Sequence, residues 1–172
     1  MDFKKYIREI PNFPKEGIVF IDITTLLKNN YAFNLAIDLI VEKFQNKKIT
    51  KVVGLESRGF IFGGAIASRL NAGFVPIRKK GKLPSETFIE TYDLEYGTDS
   101  VEIHTDALDK NDVVLIHDDL LATGGTAYAA LNLVRRMGVK SIYFSFFCDL
   151  EFIQTANKER IKEFETHILV KY

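Results

Sequence analysis

Residues 113–128, VVLIHDDLLATGGTAY, decide the fold of this chain. The first four form an unbroken apolar run, which is typical of a strand buried on both faces. From residue 126 to residue 137 apolar residues recur at helical spacing, so we predict a helix there. The turn between them, ATGGT at 122–126, holds small and hydroxyl residues. Backbone amides converging at a helix start attract an anion, and glycine lets a phosphate approach, so this turn is a candidate phosphate site.

Two carboxylates, Asp118 and Asp119, precede this turn. We expect them where the strand ends, the usual place for ligand contacts in open α/β sheets. A phosphate site with acids a few residues away suits a phosphorylated sugar, because the turn binds the phosphate and the acids bind hydroxyls. The alternatives are an ordinary strand–turn–helix joint and a pair of acids that cap the turn.

The composition excludes several classes of protein. A length of 172 residues, 47% hydrophobic and 27% charged, suits one globular domain with a real core. The net charge of zero predicts no nucleic-acid partner. The one cysteine, Cys148, excludes a disulfide within the chain. We find no secretory signal and no apolar stretch of the about 20 residues that span a bilayer, so we expect no membrane contact and a cytoplasmic location.

Apolar strands alternate with helical patterns along the chain. This order predicts an α/β fold with a mostly parallel sheet flanked by helices, and Gly138 is placed to end one of them. The predicted strands are residues 52–55, 74–77, 113–116 and 141–148, and the predicted helices are residues 31–44, 60–70 and 126–137.

The segment from Lys79 to Lys110 breaks this order, because it shows neither a helix pattern nor a buried strand. Alternation at residues 86–92 and 101–103 indicates two exposed strands. Four cations fall within residues 78–82, whereas residues 83–109 hold eight acids and no Lys or Arg. The segment is either a solvated hairpin or a mobile flap whose basic base meets a polyanion.

Residues 118–126, DDLLATGGT, resemble the phosphoribosyl-pyrophosphate motif of the type I phosphoribosyltransferases. The double leucine and the ATGGT ending are similar to the members that act on adenine. The last forty residues match only loosely. Four further stretches carry the resemblance, and with the motif they cover most of residues 1–135: NFPKEGIVFIDITTLL (12–27), VGLESRGFIF (53–62), GFVPIRKKGKLPSET (73–87) and YDLEYGTDSVEI (92–103).

The resemblance implies a single domain over residues 1–172 with the type I phosphoribosyltransferase fold. Residues 1–30 are then a small N-terminal hood that contributes the base pocket, and residues 79–104 are the flexible flap. The implied reaction moves the 5-phosphoribosyl group from phosphoribosyl pyrophosphate (PRPP) to adenine, giving AMP and pyrophosphate for purine salvage. Mg²⁺ is expected, bound mainly through the substrate pyrophosphate and water rather than by protein ligands.

The resemblance also implies roles for particular residues. Glu95 in the flap is the expected catalytic group, which hydrogen-bonds the purine imidazole and shuttles its proton. A carboxyl closed away from water has a raised pKa, which suits this work. The implied substrate-binding residues are Val19, Phe20, Ser57, Arg58, Arg78, Lys79, Lys82, Tyr96, Asp118, Asp119, Leu120, Ala122, Thr123, Gly124, Gly125 and Thr126.

By the same resemblance, these residues divide among the parts of the substrates. The turn at 122–126 holds the 5-phosphate, and the acid pair binds the ribose 2- and 3-hydroxyls. The loop at 55–59 binds pyrophosphate, often with a strained peptide, together with the cations at 78, 79 and 82. In related enzymes the arginine at position 78 reaches the neighbouring subunit's site, so a homodimer is expected. Backbone groups at 19–22 contact adenine, with Phe20 and Leu120 on its faces, and Tyr92 and Tyr96 seal the flap.

Several residues keep a structural interpretation. Glu56 and Arg58 suit a surface ion pair equally well, and Phe20 suits a plain core position. Glu90 and Glu102 are assigned to solubility.

Two residues depart from the family pattern. Relatives commonly carry Arg or Lys where Ile21 stands, and an apolar residue where His117 stands. Alternation places His117 opposite Asp118, so we expect a strand residue with a satisfied ring that points away from the site.

Two other functions stay open. The first alternative to the adenine enzyme is a PRPP-binding regulator of transcription, since this fold hosts regulators too. The second is the same class of enzyme acting on hypoxanthine, guanine or xanthine. A regulator is expected to add a DNA-binding domain or a basic face, and neither is evident in the sequence.

Overall fold

The computed structural model describes residues 2–94 and 97–172. The chain divides into two compact units, Met1–Leu39 and Ile40–Tyr172. Within the described residues, every helix is too short or too polar to cross a bilayer.

The first unit contains a two-stranded antiparallel ribbon. Strand β1 (Arg8–Pro11) pairs with β2 (Val19–Asp22), which the short helix α1 (Thr24–Leu27) follows. The Asp22 carboxylate accepts hydrogen bonds from the Thr24 amide at 2.9 Å and from Arg8 Nη2 at 2.5 Å. These bonds lower the pKa of Asp22 to about 2, so the carboxylate joins the end of the ribbon to α1 as an anion.

The second unit is built on a mixed sheet. The described residues form seven strands in the order β5-β6-β4-β3-β7-β8-β9, and the run from β4 to β9 is parallel. The strands are β3 (Lys51–Leu55), β4 (Gly73–Lys79), β5 (Thr87–Asp93), β6 (Thr98–His104), β7 (Val113–Leu121), β8 (Ser141–Asp149) and β9 (Thr166–Lys171). The helices are α3 (Gly59–Arg69), α4 (Gly125–Arg136) and α5 (Ala156–Lys162), and α2 (Asn30–Phe44) begins in the first unit and ends in the second.

Helices cover both faces of this sheet. Val53 and Leu55 of β3 belong to the core cluster that holds the apolar face of α4, including Leu131. Gly54, between them, lies against Gly63 of α3. Because successive strand residues point to opposite faces, α3 and α4 pack on opposite sides of the sheet. The predicted α/β fold is therefore confirmed.

The predicted helices and strands of the parallel part are confirmed, with one correction at β7. This strand does not stop at Ile116 but continues to Leu121, so the acid pair lies inside a strand rather than after it. The reason is the neighbouring strand: β8 pairs with β7 as far as Leu121, opposite Asp149, and this ladder holds polar residues in extended conformation. Gly138, with φ +85°, lies just after the end of α4, where the predicted glycine that stops the helix belongs.

The hairpin of β5 and β6 corrects a second prediction. Its strands form as predicted, but β6 is not exposed, because it pairs with β4 and buries Val101 and Ile103. Glu90, assigned to solubility, accepts a hydrogen bond from Asn132 Nδ2 of α4 at 2.8 Å. The hairpin is thus attached to α4 along part of its length. The C-terminal elements α5 and β9 have no counterpart among the predicted elements.

Helix α3 begins in close contact with β7. A Cβ atom on Gly59 would lie 2.9 Å from the carbonyl oxygen of His117 and 3.0 Å from Asp118 Oδ1. Only glycine therefore allows this approach, which brings the loop before α3 beside the acid pair. In the same helix, a Cβ on Gly64 would meet nothing within 4 Å.

We expect opposite effects from one substitution at these two glycines. Gly59→Ala forces the helix away from β7 and should destabilise the protein by about 1–3 kcal/mol. Gly64→Ala, the matched control, should stabilise it by about 0.5–1 kcal/mol, because alanine is the better helix former. Urea denaturation followed by circular dichroism measures both. Equal stability of the Gly59→Ala protein and the parent chain would rule out the close contact.

Candidate active site

The turn from β7 into α4 forms the first part of the site. Gly124 has φ +78°, a left-handed conformation that favours glycine, and α4 begins at the next residue. The first backbone amides of a helix have no hydrogen-bond partner within it. The amides at the start of α4 are therefore available to a ligand at this turn. A cavity of about 70 Å³ is lined by Asp118, Leu120, Leu121, Ala122, Thr123, Gly124, Gly125, Thr126 and Ala127.

A second cavity adjoins the first. It has a volume of about 420 Å³ and is lined by Glu56, Ser57, Arg58, Asp118, Asp119 and Leu120, so Asp118 and Leu120 border both cavities. The loop that supplies its first three residues contains a cis peptide bond between Glu56 and Ser57. The structure thus joins three sequence motifs in one cleft: the loop at 55–59, the acid pair and the turn.

The acid pair lies at the border of the two cavities, with Asp119 buried and Asp118 half-buried. Asp118 Oδ1 accepts a hydrogen bond from the Asp119 amide at 2.9 Å, and Asp119 Oδ2 lies 2.7 Å from Arg58 Nε. Burial raises the pKa of Asp118 well above its usual value, and the neighbouring charge of Asp119 raises it further. Burial also raises the pKa of Asp119, against the opposing charge of Arg58.

Glu56 and Arg58 belong to different ion pairs in the structure. Glu56 Oε2 lies 3.3 Å from Arg78 Nε, and its Oε1 lies 3.6 Å from Lys82 Nζ. The backbone amide of Lys79 also donates to Glu56 Oε2, at 2.8 Å. Burial opposes ionisation of Glu56, but the bonds from Lys79 and Arg78 outweigh it and lower the pKa. Arg78 and Lys82 therefore meet at one carboxylate beside the second cavity.

The Lys79 side chain turns to the hairpin instead. Its ammonium pairs with Asp99 and donates to the Tyr92 hydroxyl at 3.0 Å. That hydroxyl donates to Asp99 Oδ2 at 3.2 Å and accepts from Thr126 Oγ1 at 3.0 Å. The Tyr92 ring also lies against Gly125, where a Cβ would be 3.0 Å from it. Tyr92 thus joins the turn at 122–126 to the hairpin.

Glu102 is a functional neighbour that the sequence did not reveal. It is 3% exposed, and its Oε1 accepts the amides of Lys82 and Leu83, both at 2.8 Å. The assignment to solubility is wrong, because these bonds hold the turn that carries Lys82. No local signal points to this role, since the partners lie about twenty residues away in the chain.

His117 is buried as a strand residue, and its ring packs on Phe62 at 5.9 Å between centroids. Its Nδ1 shares a 2.7 Å hydrogen bond with Ser145 Oγ, whereas Nε2 has no hydrogen-bond partner among the described residues. The expected satisfied ring is therefore only half right. Burial lowers the pKa of His117 to about 3, so the ring is neutral.

The hood residues belong to the first unit. Val19 is half exposed, Phe20 is partly buried with its ring 5.2 Å from Phe13, and Ile21 is 5% exposed. The expected catalytic residue Glu95 and its neighbour Tyr96 lie outside the described residues.

Comparison with known proteins gives a consistent result. The model of the phosphoribosyl transferase domain family matches residues 22–163. The adenine phosphoribosyltransferase of Bacteroides thetaiotaomicron is 58% identical over 147 residues, which are 86% of this chain and 84% of the relative.

Solved structures are similar over nearly the whole chain. The adenine phosphoribosyltransferase of Thermoanaerobacter pseudethanolicus gives a TM-score of 0.93 at 45% identity, covering 99% of this chain and 98% of that one. The enzyme of Giardia lamblia, solved with 9-deazaadenine, gives a TM-score of 0.93 at 38% identity, covering 99% and 96%.

The raised pKa of Asp118 predicts how replacing its carboxyl group changes the stability of the protein. Above the usual carboxyl range of about 4, the folded chain holds a proton that the unfolded chain has lost, so stability falls as pH rises through this interval. Asp118→Asn removes that loss. Its urea midpoint should therefore exceed that of the parent chain by a margin that grows from pH 4 upward.

The exposed Asp106 offers a matched control, because Asp106→Asn makes the same chemical change at the surface. Its urea midpoint should follow that of the parent chain. An Asp118→Asn protein that is less stable at every pH would contradict a costly buried carboxylate.

Proposed function

The chain belongs to the phosphoribosyl transferase family, and we propose that it transfers the 5-phosphoribosyl group from PRPP to adenine, giving AMP and pyrophosphate. The observation that supports this most is the pair of adjoining cavities, which share Asp118. They offer an amide-rich turn at one end, a basic loop at the other and carboxylates between. That order matches a sugar with phosphates at both ends.

In this proposal the donor lies along the cleft. The turn at 122–126 binds the 5-phosphate through backbone amides and the hydroxyls of Thr123 and Thr126. The carboxylates of Asp118 and Asp119 accept hydrogen bonds from the ribose 2- and 3-hydroxyls. Ser57 and Arg58 bind pyrophosphate together with Lys82, which exchanges the Glu56 carboxylate for the ligand, and Arg78 binds the pyrophosphate of the neighbouring subunit. Lys79 contributes positive charge from the hairpin side.

The acid pair also suits the reaction itself. Breaking the bond between the anomeric carbon and pyrophosphate builds positive charge on the sugar. Carboxylates fixed in a desolvated cleft stabilise that charge more than the neutral ground state, and they need no reorganisation as the bond breaks. The 2.7 Å contact with Arg58 fixes the orientation of Asp119 for this role.

Adenine is recognised by the hood in this proposal: backbone groups of Val19 and its neighbours bind the Watson–Crick edge, and Phe20 packs on the ring. Ile21 is buried. It supplies no positive charge at the position where relatives commonly carry Arg or Lys. Selectivity then rests on backbone donors and acceptors, which an oxo analogue leaves unpaired.

Glu95 acts as the proton shuttle to the purine imidazole, from a flap spanning residues 79–104 that also carries Tyr96. The flap shelters the reacting atoms from water once the donor is bound. Its described part remains attached to α4 through Glu90 and Tyr92.

Three further expectations complete the proposal. Mg²⁺ would be held mainly by the pyrophosphate of PRPP and by water, and it would supply positive charge that offsets the charge of the leaving group. Two copies of the chain form a homodimer in which Arg78 serves the neighbouring site. The reaction takes place in the cytoplasm as part of purine salvage. The relatives' names describe enzymes, which favours catalysis over a regulatory role.

A base-competition assay tests the proposed function. Incubation with PRPP, Mg²⁺ and each purine should give AMP with a kcat/KM about 10⁴-fold above that for hypoxanthine, guanine or xanthine, because the mismatched bases leave buried polar groups unpaired. Product formation is followed by chromatography, with a reaction lacking PRPP as control. IMP or GMP formation as fast as AMP formation would reject adenine as the substrate.

A second test concerns the proton shuttle. Glu95→Gln should lower kcat by about 10²–10⁴-fold, because the amide cannot carry the proton, while the KM for PRPP changes little. Glu90→Gln is the matched control in the same hairpin, since its amide oxygen still accepts the Asn132 bond, and it should retain full turnover. An unchanged kcat for Glu95→Gln would remove this residue from the mechanism.

A further inference from the structure

The C-terminal segment, for which the sequence predicts no role, is bonded to the phosphate-site turn. Thr155 Oγ1 donates to the carbonyl oxygen of Thr123 at 2.6 Å. Thr155 Oγ1 also accepts a hydrogen bond from the Lys158 amide at 3.2 Å and so caps helix α5. One hydroxyl therefore links the start of α5 to the middle of the turn.

Lys158 is fully buried and stabilises the end of β7, from which the chain enters the turn. Its ammonium donates to Asp149 Oδ1 at 2.5 Å and to the Leu150 carbonyl at 2.7 Å. Asp149 pairs in register with Leu121, the last residue of β7, and the Leu150 amide donates to the Leu121 carbonyl at 3.0 Å. The charge pair thus anchors the residue from which the turn departs.

Helix α5 also makes direct contact with Gly124. A Cβ on this residue would lie 3.2 Å from both Cγ and the amide nitrogen of Lys158, and 3.3 Å from Ile161 Cδ1. The turn is therefore fixed at three successive points, at Leu121 by the charge pair, at Thr123 by a hydroxyl and at Gly124 by packing.

A buried ion pair returns little net stability, because desolvation of both charges offsets their attraction. The position of the Lys158–Asp149 pair instead fixes the backbone beside the turn. A turn that binds phosphate through its amides is effective only when those amides already converge, since ordering them on binding costs affinity.

We propose that Thr155 and Lys158 are positioning residues for the 5-phosphate of the donor substrate. They touch no substrate; they hold Thr123 and Gly124 in the conformation that presents the amides. The inference rests on the proposed function in one respect, which is that the turn at 122–126 binds this phosphate.

The test compares Thr155→Val with Thr155→Ser, which keeps the hydroxyl. Thr155→Val should raise the KM for PRPP by about three- to tenfold, as expected for loss of one hydrogen bond, and leave the KM for adenine unchanged. Thr155→Ser should restore the parent value. Urea denaturation records separately any stability lost with the helix cap.

Direct binding separates this inference from the proposed function. Measured by calorimetry, Thr155→Val should weaken the binding of ribose 5-phosphate by the same factor and leave the binding of pyrophosphate unchanged. This expectation holds whatever the activity of the parent chain. If the parent chain makes no AMP but this split is seen, the proposed function fails and the inference holds. If the parent chain makes AMP and Thr155→Val binds ribose 5-phosphate normally, the inference is overturned.

Lys158→Met leaves the Asp149 carboxylate buried without its partner, so the double variant Lys158→Met, Asp149→Asn is the better second probe. It should lower the affinity for ribose 5-phosphate relative to pyrophosphate. An equal loss of both ligands would show a general structural role and would contradict positioning.

Discussion

The site depends on two adjacent carboxylates, those of half-buried Asp118 and buried Asp119, being held side by side at the border of two cavities. Burial raises the pKa of both, and the Arg58 guanidinium at 2.7 Å offsets the cost at Asp119. Such a pair is expensive for the free protein. In the proposed function, ribose hydroxyls and the positive charge that develops on the sugar offset that cost, so folding stability is exchanged for stabilisation of the transition state.

The rest of the structure places partners around this pair. The parallel register of β3 and β7 brings the loop at 55–59 beside the acids, and Gly59 allows the close contact. On the other side, the left-handed Gly124 turns the chain into α4 and presents amides to the same cleft. Glu56 and Glu102 then hold Arg78 and Lys82 at the basic end. Carboxylates thus position cations, and cations position carboxylates, across one cleft.

The sequence predicted those features that arise from local pattern. Apolar runs and helical spacing located β3, β4, β7 and β8 together with α3 and α4, and the motif at 118–126 located the turn. Features that depend on distant partners were missed. Strand β7 continues through Asp118 because β8 pairs beside it, β6 is buried because β4 and α4 cover it, and Glu102 acts on amides far along the chain. The link from Thr155 to Thr123 spans 32 positions, and a single sequence carries no signal for it.

The central claim is that the turn at 122–126 binds the 5-phosphate of a sugar whose hydroxyls meet the acid pair. A crystal structure of the protein with ribose 5-phosphate tests it most directly. The account predicts phosphate oxygens within about 3 Å of the backbone amides of residues 123–126, and ribose hydroxyls at the same distance from the Asp118 and Asp119 carboxylates. A ligand bound elsewhere, with the turn making no contact to phosphate, would contradict the account.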